Sequence, residues 1–257
     1  MSDIHTSAII DKKAELASDI TVGPFTIIDG DVTIGSGSRI DSHVYISNGA
    51  RIGQNCHIHH GSVIATVPQD IKFENEKTLL EIGDNTEIRE YTTLNRGTSH
   101  SGKSKVGKNC FLMAYTHVAH DCFIGDNCII ANGVQLAGHV VIEDWVIIGG
   151  LTPIHQFCRI GQHAFIGGGL RVTKDVPPYI LAADSPLSYK GVNIVGLRRR
   201  GFKKDTIRFL QRCYRYLYRS NFNTSQAVEK IKSNFDDIPE IKKILAFIEK
   251  SERGIIK

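Results

Sequence analysis

The sequence lacks the features that mark membrane-spanning and disulfide-rich proteins. Its 257 residues contain no run of 18 apolar residues, which argues against a transmembrane helix. They also contain no Cys-x-x-Cys pair of the kind found in many metal sites. A regular pattern begins at Ile4, so we expect no signal peptide and a cytoplasmic location.

An aliphatic residue recurs at every sixth position over most of the chain. The register takes in eleven positions from Ile4 to Ile64 without a miss, and it continues from Val106 to Val172. Eleven chance matches in a row have a probability on the order of one in a million or less. Three positions between Ile4 and Val172 break the register: Asp70, Glu76 and His100. The chain is therefore a repeat protein.

A period of six fits neither an α-helix nor a simple alternating strand. It fits a solenoid in which three short strands, one from each of three repeats, close one coil, and successive coils stack about 4.8 Å apart. A second inward position in each repeat carries small residues. Five of the six cysteines share it, which favours core packing over metal or disulfide chemistry: Cys56, Cys110, Cys122, Cys128 and Cys158. We predict an all-β solenoid, a parallel β-helix of hexapeptide repeats, over residues 1–185.

The pattern changes after the repeat ends. Pro177 and Pro178 mark the change, and residues 203–219 then show apolar residues at helical spacing. We expect further helices after Thr224 and after Asp237, and therefore an α-helical cap domain over residues 186–257. Residues 1–185 hold 14 basic and 20 acidic residues, a net charge of −6, whereas the cap holds 17 and 7, a net charge of +10.

The basic residues of the cap include a stripe along the first long helix. Its members recur at helical spacing: Arg208, Arg212, Arg215 and Arg219. One interpretation is a solvated helix face, and the other is a docking surface for an acidic protein or a phosphorylated ligand. We do not expect nucleic acid as a partner, because no recognisable binding motif accompanies the charge.

Histidines gather on one edge of the predicted solenoid. Residues three repeats apart lie above one another, so His120, Gly138 and Gln156 form one column, and Asp121 and His139 belong to the next. Two further histidines, His117 and His155, lie close by in the sequence. Imidazole titrates near neutrality and suits general-base catalysis. Gly138 leaves room for a substrate, and its N–H is suited to binding an oxyanion. The histidines at 57, 59 and 60 lie near another corner and are interpreted as surface residues.

Several segments resemble one enzyme family, the UDP-N-acetylglucosamine acyltransferases of lipid A biosynthesis. The resemblance spans essentially the whole chain and is carried by residues 117–122 (HVAHDC), 136–139 (LAGH), 154–157 (IHQF), 175–178 (DVPP) and 191–202 (GVNIVGLRRRGF). It implies a left-handed β-helix, a homotrimer and active sites between subunits. It also implies transfer of a 3-hydroxyacyl group from acyl carrier protein to the 3-hydroxyl of UDP-N-acetylglucosamine, without a cofactor or metal.

The resemblance assigns roles to individual residues. His120 matches the general base, Asp121 a residue that orients it, and Gly138 the oxyanion donor. The remaining matches are substrate-binding positions: His117, His139, His155 and Gln156 as residues that position the substrate, Asp70 and Lys72 at the sugar nucleotide, and Asn193, Arg199 and Arg200 at the nucleotide and its diphosphate. Arginine suits phosphate because its planar fork donates two parallel hydrogen bonds.

Three positions qualify or extend the resemblance. Asn95 stands where well-known members have His, and Val195 stands where they often have Glu, so the nucleotide contacts are less well defined than the reaction. Gly168 matches the position that limits the acyl groove in the family, and glycine there predicts a long 3-hydroxyacyl donor. The other interpretation of Gly168 is a glycine that the corner geometry requires.

Three rival functions are compatible with the repeat. A γ-class carbonic anhydrase would bind zinc through three histidines across a subunit interface. Another hexapeptide acyltransferase, the sister enzyme that N-acylates a later sugar intermediate, would need a uridine-binding domain ahead of the repeats, and here the repeats start at Ile4. A purely structural β-helix gives no reason for a polar histidine edge.

Overall fold

Very short strands, most of two residues, alternate with tight corners along the first two thirds of the chain. The computed structural model describes residues 3–235 and 238–257. Up to residue 166, successive strands go in turn to three different sheets, and strands three places apart in this order pair in parallel. In the intact repeat the partners are three repeats apart, as in Phe111 with Ile129 and Ile129 with Ile147. The predicted three-sided parallel β-helix is confirmed.

The strands of the three sheets, in spatial order, have the following bounds. Sheet 1 contains β1 (Asp3–Ile4), β4 (Thr21–Val22), β7 (Arg39–Ile40), β10 (His57–Ile58), β13 (Glu87–Ile88), β16 (Phe111–Leu112), β19 (Ile129–Ile130), β22 (Ile147–Ile148), β25 (Phe165–Ile166), β26 (Ile180–Ala183) and β27 (Ser188–Val192). Sheet 2 contains β2 (Ile9–Ile10), β5 (Ile27–Ile28), β8 (Tyr45–Ile46), β11 (Val63–Thr66), β14 (Thr93–Asn95), β17 (His117–Val118), β20 (Gln135–Leu136) and β23 (Pro153–Ile154). Sheet 3 contains β3 (Glu15–Leu16), β6 (Thr33–Ile34), β9 (Ala50–Ile52), β12 (Leu79–Ile82), β15 (Lys103–Val106), β18 (Phe123–Ile124), β21 (Val141–Ile142) and β24 (Arg159–Ile160).

The aliphatic residue of the six-residue register in each repeat strand points into the prism and contributes to its core. These aliphatic side chains are buried from Val22 to Val172, whereas Ile4 is 43% exposed. Ile4 belongs to the first coil, which has no coil beneath it to exclude water. All six cysteines are unpaired and buried, as expected for core residues. Full burial of one such aliphatic side chain stabilises the fold by about 1.5–3 kcal/mol.

The corners between sheets hold residues in the left-handed backbone conformation. Asp121, His139 and Phe157 have φ values of 56°, 62° and 63°. A residue other than glycine loses roughly 1–2 kcal/mol in this conformation, so the stacked coils must hold it in place. We name the corners by the sheets they join: edge 1–2, edge 2–3 and edge 3–1. Side chains on one edge form vertical columns, because the corners repeat with the coil.

Two loops interrupt the stacking where the six-residue register breaks. The first covers residues 67–78 between β11 and β12, and the second covers residues 96–102 between β14 and β15. Without a loop, residues paired between adjacent coils are 18 residues apart in the sequence. The first loop lengthens this separation to 30 residues for His57 and Glu87, and the second lengthens it to 24 residues for Glu87 and Phe111. Both loops leave the prism between sheet 2 and sheet 3, the edge that carries the predicted catalytic histidine.

The β-helix ends in a hairpin that leads into the cap. β26 continues sheet 1 in parallel and then pairs antiparallel with β27, and the predicted domain boundary after residue 185 falls in the connecting turn. The C-terminal end of the chain returns to the last coil, where the Ile256 N–H donates to the Asp175 backbone carbonyl at 2.9 Å. Four helices complete the cap: α1 (Ile194–Arg199), α2 (Lys204–Tyr218), α3 (Thr224–Asn234) and α4 (Pro239–Glu249).

The helix predictions hold with small shifts at the ends. α2 lies within the predicted range, with Ile207, Leu210 and Tyr214 buried on one face. The N-cap of α3 is Asn223 rather than Thr224, because Asn223 and Gln226 form a reciprocal capping box. Pro239 lies in the first turn of α4, and the predicted start at Asp237 falls outside the described residues. Among the described residues, the helices are too short or too polar to cross a bilayer.

Candidate active site

Edge 2–3 brings the predicted catalytic residues together. His120 and Asp121 follow β17, Gly138 and His139 follow β20, and both pairs turn the same corner on adjacent coils. The His139 N–H donates to the His120 carbonyl at 3.1 Å, which stacks the two corners directly. The columns predicted from the spacing of three repeats therefore exist.

The His120 ring lies directly over Gly138. A Cβ atom at residue 138 would stand 2.7 Å from His120 Cε1 and 2.8 Å from Nε2. No side chain other than hydrogen fits there without moving the imidazole. Gly138 is thus a steric requirement for the position of His120, and the Gly138 N–H has no hydrogen-bond partner among residues 3–235 and 238–257.

Asp121 fixes the orientation of His120. Its Oδ2 atom lies 2.8 Å from His120 Nδ1, which leaves Nε2 free for a substrate. Asp121 is only 2% exposed, and two residues of loop 96–102 donate hydrogen bonds to its carboxylate. The Thr98 N–H donates to Oδ1 at 3.0 Å, and the Thr98 hydroxyl donates to Oδ2 at 2.7 Å. The Ser101 hydroxyl also donates to Oδ1. Burial alone would raise the pKa of Asp121, but the hydrogen bonds from Ser101, His120 and Thr98 outweigh it and lower the pKa to about 2. Asp121 is therefore an anion at neutral pH.

Thr98 and Ser101 are functional residues that the sequence reasoning missed. Both lie in the loop where His100 breaks the repeat register, so the broken register was the available signal. An interruption of a regular solenoid marks a segment whose role is not limited to stacking.

Two other histidines of the edge, His139 and His117, lie in partly buried surroundings. His139 stacks on Phe157 with ring centroids 4.5 Å apart and meets His120 edge-on at 5.1 Å. Burial lowers the pKa of His139 despite the opposing effect of Asp121. His117 hydrogen-bonds Thr93 Oγ1 through Nδ1 at 2.7 Å, and burial, followed by the charge of His120, lowers its pKa. Both rings therefore favour the uncharged form and suit substrate positioning.

The remaining predicted residues of this edge lie around the same corner. Gln156 follows β23, one coil beyond Gly138, and the Phe157 N–H donates to the Gly138 carbonyl at 3.2 Å. His155 bonds locally to the Gln156 carbonyl at 3.2 Å. Asp70 lies in loop 67–78, close enough for its charge to act on His139, whereas Lys72 is exposed. The loop thus brings the carboxylate of Asp70 near the histidine edge.

The predicted nucleotide residues lie on a different edge. Arg200 contacts edge 3–1, where its Nη1 lies 3.3 Å from His163 Nδ1 and its guanidinium lies over the Trp145 ring at 5.3 Å. Burial, followed by the charge of Arg200, lowers the pKa of His163 to about 4, so this imidazole is neutral and accepts from the arginine. Asn193 is nearly buried: it caps α1 through the Gly196 N–H at 3.1 Å and donates to the His163 carbonyl at 3.0 Å. Arg199 is exposed on the same helix.

Comparison with known proteins identifies the family. Residues 175–256 match the family described as Udp N-acetylglucosamine O-acyltransferase, domain 2, and residues 31–66 and 103–138 match the bacterial transferase hexapeptide. The chain is 48% identical to the acyl-[acyl-carrier-protein]–UDP-N-acetylglucosamine O-acyltransferase of Aliarcobacter butzleri, over 99% of this chain and 98% of that protein. It is 49% identical to the enzyme of the same name from Alkalilimnicola ehrlichii, over the full length of both. The chain belongs to the UDP-N-acetylglucosamine O-acyltransferases.

Solved structures agree with this membership. The chain superposes on the UDP-N-acetylglucosamine acyltransferase LpxA of Bacteroides fragilis with a TM-score of 0.97 at 44% identity, covering 98% of this chain and 99% of that one. The corresponding values for LpxA of Acinetobacter baumannii are 0.96 and 44%, covering 99% of both chains. The left-handed β-helix with a helical cap, expected from the resemblance, is therefore the fold of this acyltransferase.

The two departures from the family pattern have different surroundings in this acyltransferase. Asn95 is 2% exposed and donates through Nδ2 to Thr66 Oγ1 at 3.0 Å and to the Val67 carbonyl at 3.1 Å. It thereby ties β14 to the start of loop 67–78. Val195 is 63% exposed on α1, where a polar residue would contact solvent. Asn95 therefore makes structural contacts, whereas Val195 lies on an exposed face of α1.

Gly168 lies on edge 1–2, so its edge differs from that of His120, as predicted. A Cβ atom there would stand 3.0 Å from the Gly150 carbonyl oxygen, a close contact with the backbone of the coil below. The glycine itself is exposed. The close backbone contact therefore explains part of the preference for glycine at residue 168. The surface next to this glycine is open.

The Asp121 network predicts the effect of removing its charge. Asp121→Asn should lower kcat by about 10²-fold or more, because an amide no longer fixes His120 with its proton on Nδ1. Acyl transfer by the purified variant under saturating substrates is the measurement. Asp175→Asn serves as the control, because Asp175 is also fully buried and bonds Ser251 at 2.6 Å but belongs to the cap junction. Equal losses of kcat in both variants, at equal folded fractions, would contradict an orienting role for Asp121.

Proposed function

We propose that this chain transfers a long 3-hydroxyacyl group from acyl carrier protein to the 3-hydroxyl of UDP-N-acetylglucosamine. Family membership supports the reaction, and the ordered pair of His120 and Asp121 above Gly138 is the single observation that carries the mechanism. The γ-carbonic-anhydrase alternative is not favoured, because the full-length relatives are acyltransferases.

His120 acts as the general base in this mechanism. Nδ1 keeps its proton in the hydrogen bond to Asp121, so Nε2 accepts the proton of the sugar 3-hydroxyl. The hydroxyl oxygen attacks the thioester carbonyl directly, and no acyl-enzyme forms. The resulting imidazolium is stabilised by the Asp121 anion and then returns its proton to the departing thiolate of the carrier.

The thioester oxygen gains negative charge during the attack. The Gly138 N–H lies beside His120 and is free to donate to this oxyanion. A donor of this kind contributes about 10²–10³-fold to kcat in other acyl-transfer enzymes. Because Gly138 also makes room for the imidazole, one residue serves both the base and the oxyanion.

The substrate positions follow from the neighbouring contacts. His117, His139, His155 and Gln156 lie on the edge of His120 and are proposed to position the substrate, and Asp70 and Lys72 of loop 67–78 are proposed to bind the sugar nucleotide. Asn193, Arg199 and Arg200 are proposed to hold the nucleotide and diphosphate, with Arg199 exposed and Arg200 already desolvated by Trp145 and His163. The contribution of Asn193 is indirect: its side chain caps the N-terminus of α1, the helix that carries Arg199.

We propose that the working unit is a homotrimer. The base, the acyl-groove glycine and the nucleotide arginines lie on three different edges of one prism, so they share a cleft only if neighbouring protomers face each other. Large apolar side chains on edge 1–2 also need a cover in solution: Phe25, Tyr91, Tyr115 and Leu151 are 60%, 46%, 63% and 74% exposed. Packing against another protomer removes them from water.

The first prediction from this mechanism concerns the base. His120→Ala should lower kcat by at least about 10²-fold, because the variant loses the imidazole that accepts the sugar proton in this mechanism. Steady-state kinetics measure it, with size-exclusion chromatography to show an unchanged assembly. The control is His60→Ala, which removes a histidine from edge 1–2, where it bonds Ser42 and Tyr91. Near wild-type turnover in the His120 variant would remove this residue from the mechanism.

The second prediction concerns the carrier protein. Arg215 and Arg219 are exposed on α2, flank a cavity of about 340 Å³ with Lys190, and form no ion pair within the described residues. Reversing both charges to Glu should raise KM for the acidic carrier more than KM for UDP-N-acetylglucosamine, and added salt should lower kcat/KM for the wild type.

A charge reversal elsewhere in the cap separates local docking from overall charge. Lys230→Glu with Lys232→Glu changes the net charge equally, from exposed positions on α3. We expect little change in KM for the carrier. If both double variants raise the two KM values alike, the α2 arginines are not the docking surface.

The third prediction concerns acyl length. Gly168→Met should shift preference toward shorter donors, since each methylene excluded from the groove loses about 0.8 kcal/mol of burial. Competition between 3-hydroxyacyl carriers of different length gives the profile. Gly168→Ala is the matched control, because it makes the same Cβ contact with Gly150 without reaching further. An identical profile in wild type and both variants would assign the length limit to another residue.

A further inference from the structure

Two histidines outside the proposed active site converge with an aspartate on sheet 1. The interpretation of His57 and His59 as surface residues without convergence is wrong. The two rings lie with centroids 3.7 Å apart, and both approach Asp41, which lies one coil before His59. One ligand atom from each of these three residues falls within 4.8 Å of the other two.

We propose that Asp41, His57 and His59 form a binding site for a first-row divalent transition-metal ion, with zinc as the best match. Two imidazoles and one carboxylate are a common ligand set for zinc, with the fourth position left to water. This inference does not depend on the acyltransferase mechanism, and it departs from the expectation that no metal is bound.

The distances fit a tetrahedral ion. Zinc bonds of about 2.0–2.1 Å place neighbouring ligand atoms about 3.3 Å apart. Asp41 Oδ2 lies 3.1 Å from His57 Nε2 and 3.4 Å from His59 Nδ1. Both distances from the carboxylate oxygen are therefore close to the spacing that zinc requires, and one ligand atom from each of the three residues lies within 4.8 Å of the others.

Outer contacts hold the ligands in the required orientation. His59 Nε2 lies 3.0 Å from Glu87 Oε1, so the ring can donate its proton there and turn the Nδ1 lone pair toward the ion. Metal-binding histidines are usually held by such a carboxylate. Arg39 Nε donates to Asp41 Oδ1 at 2.8 Å, which leaves Oδ2 facing the histidines.

The charges around the site also favour a cation. Glu87 and Glu90 approach His59, with Glu90 Oε1 3.8 Å from Nδ1, and Arg89 pairs with Glu90 at 2.8 Å. The cluster contains three carboxylates (Asp41, Glu87 and Glu90) and two guanidinium groups (Arg39 and Arg89). Its net charge is therefore −1 when the histidines are neutral. A divalent ion is attracted to it.

The site joins three successive coils. Asp41 follows β7, His57 belongs to β10, and Glu87 belongs to β13, which begins the first coil after loop 67–78. Bound metal would link the two coils of its ligands directly, and the coil of β13 through the contact of His59 with Glu87. Its role is therefore structural, and it supports the part of the solenoid where the inserted loops interrupt stacking.

Metal binding by the full-length protein tests the proposal. The protein is stripped with a chelator and titrated with Zn²⁺ by calorimetry, and with Co²⁺ by visible absorption, which reports tetrahedral coordination. We expect one ion per chain and a zinc-dependent rise in Tm. His57→Ala and Asp41→Asn should lose this ion and the rise in Tm, and Glu87→Gln should bind about 10–100-fold more weakly.

Two controls locate the ion. His60→Ala removes a neighbouring histidine that belongs to another cluster, and His139→Ala disrupts the other group able to hold an ion, formed with His120 and Asp121. Both variants should keep the wild-type affinity and cobalt spectrum. A wild type that binds no zinc at micromolar concentrations refutes the site, as does unchanged binding in the His57 and Asp41 variants.

Discussion

Inward packing of one aliphatic side chain in every repeat is the constraint on which the rest of the structure depends. It stacks the coils in register and holds corner residues such as Asp121 and His139 in a left-handed conformation that each would otherwise avoid. Because the core fixes these corners, side chains on one edge meet their neighbours from the next coil at short distance. His120 is thereby placed over Gly138 by the rigid scaffold rather than by a mobile loop.

The proposed chemistry depends equally on the two places where this regularity fails. Loop 96–102 wraps Asp121 with Thr98 and Ser101, and so converts an exposed corner into a buried, ionised carboxylate. Burying an anion is costly unless hydrogen bonds compensate for the lost water. A perfectly regular solenoid offers no such donors at its edge, so the interruption of the repeat is what makes a general-base pair possible there.

Most of the fold and the catalytic column could be predicted from the sequence, because position along the repeat gives position in space. The contacts of Thr98, and of Arg200 with His163, could not be predicted, since they arise from a loop and a cap whose paths the period does not determine. The cluster of Asp41 with His59 differs, because its spacing of one full coil is visible in the sequence. The period does not show that the two side chains turn toward each other.

The distribution of parts over three edges links assembly to catalysis. One protomer holds the base on edge 2–3, whereas Arg200 lies on edge 3–1 against Trp145 and His163. A rigid prism cannot fold these edges onto one another, because its core is continuous between them. A cleft that contains both the proposed base and the arginines proposed to bind the diphosphate therefore requires two protomers. In the proposed trimer, the apolar side chains that drive association and the polar side chains that perform the reaction are positioned by the same repeat.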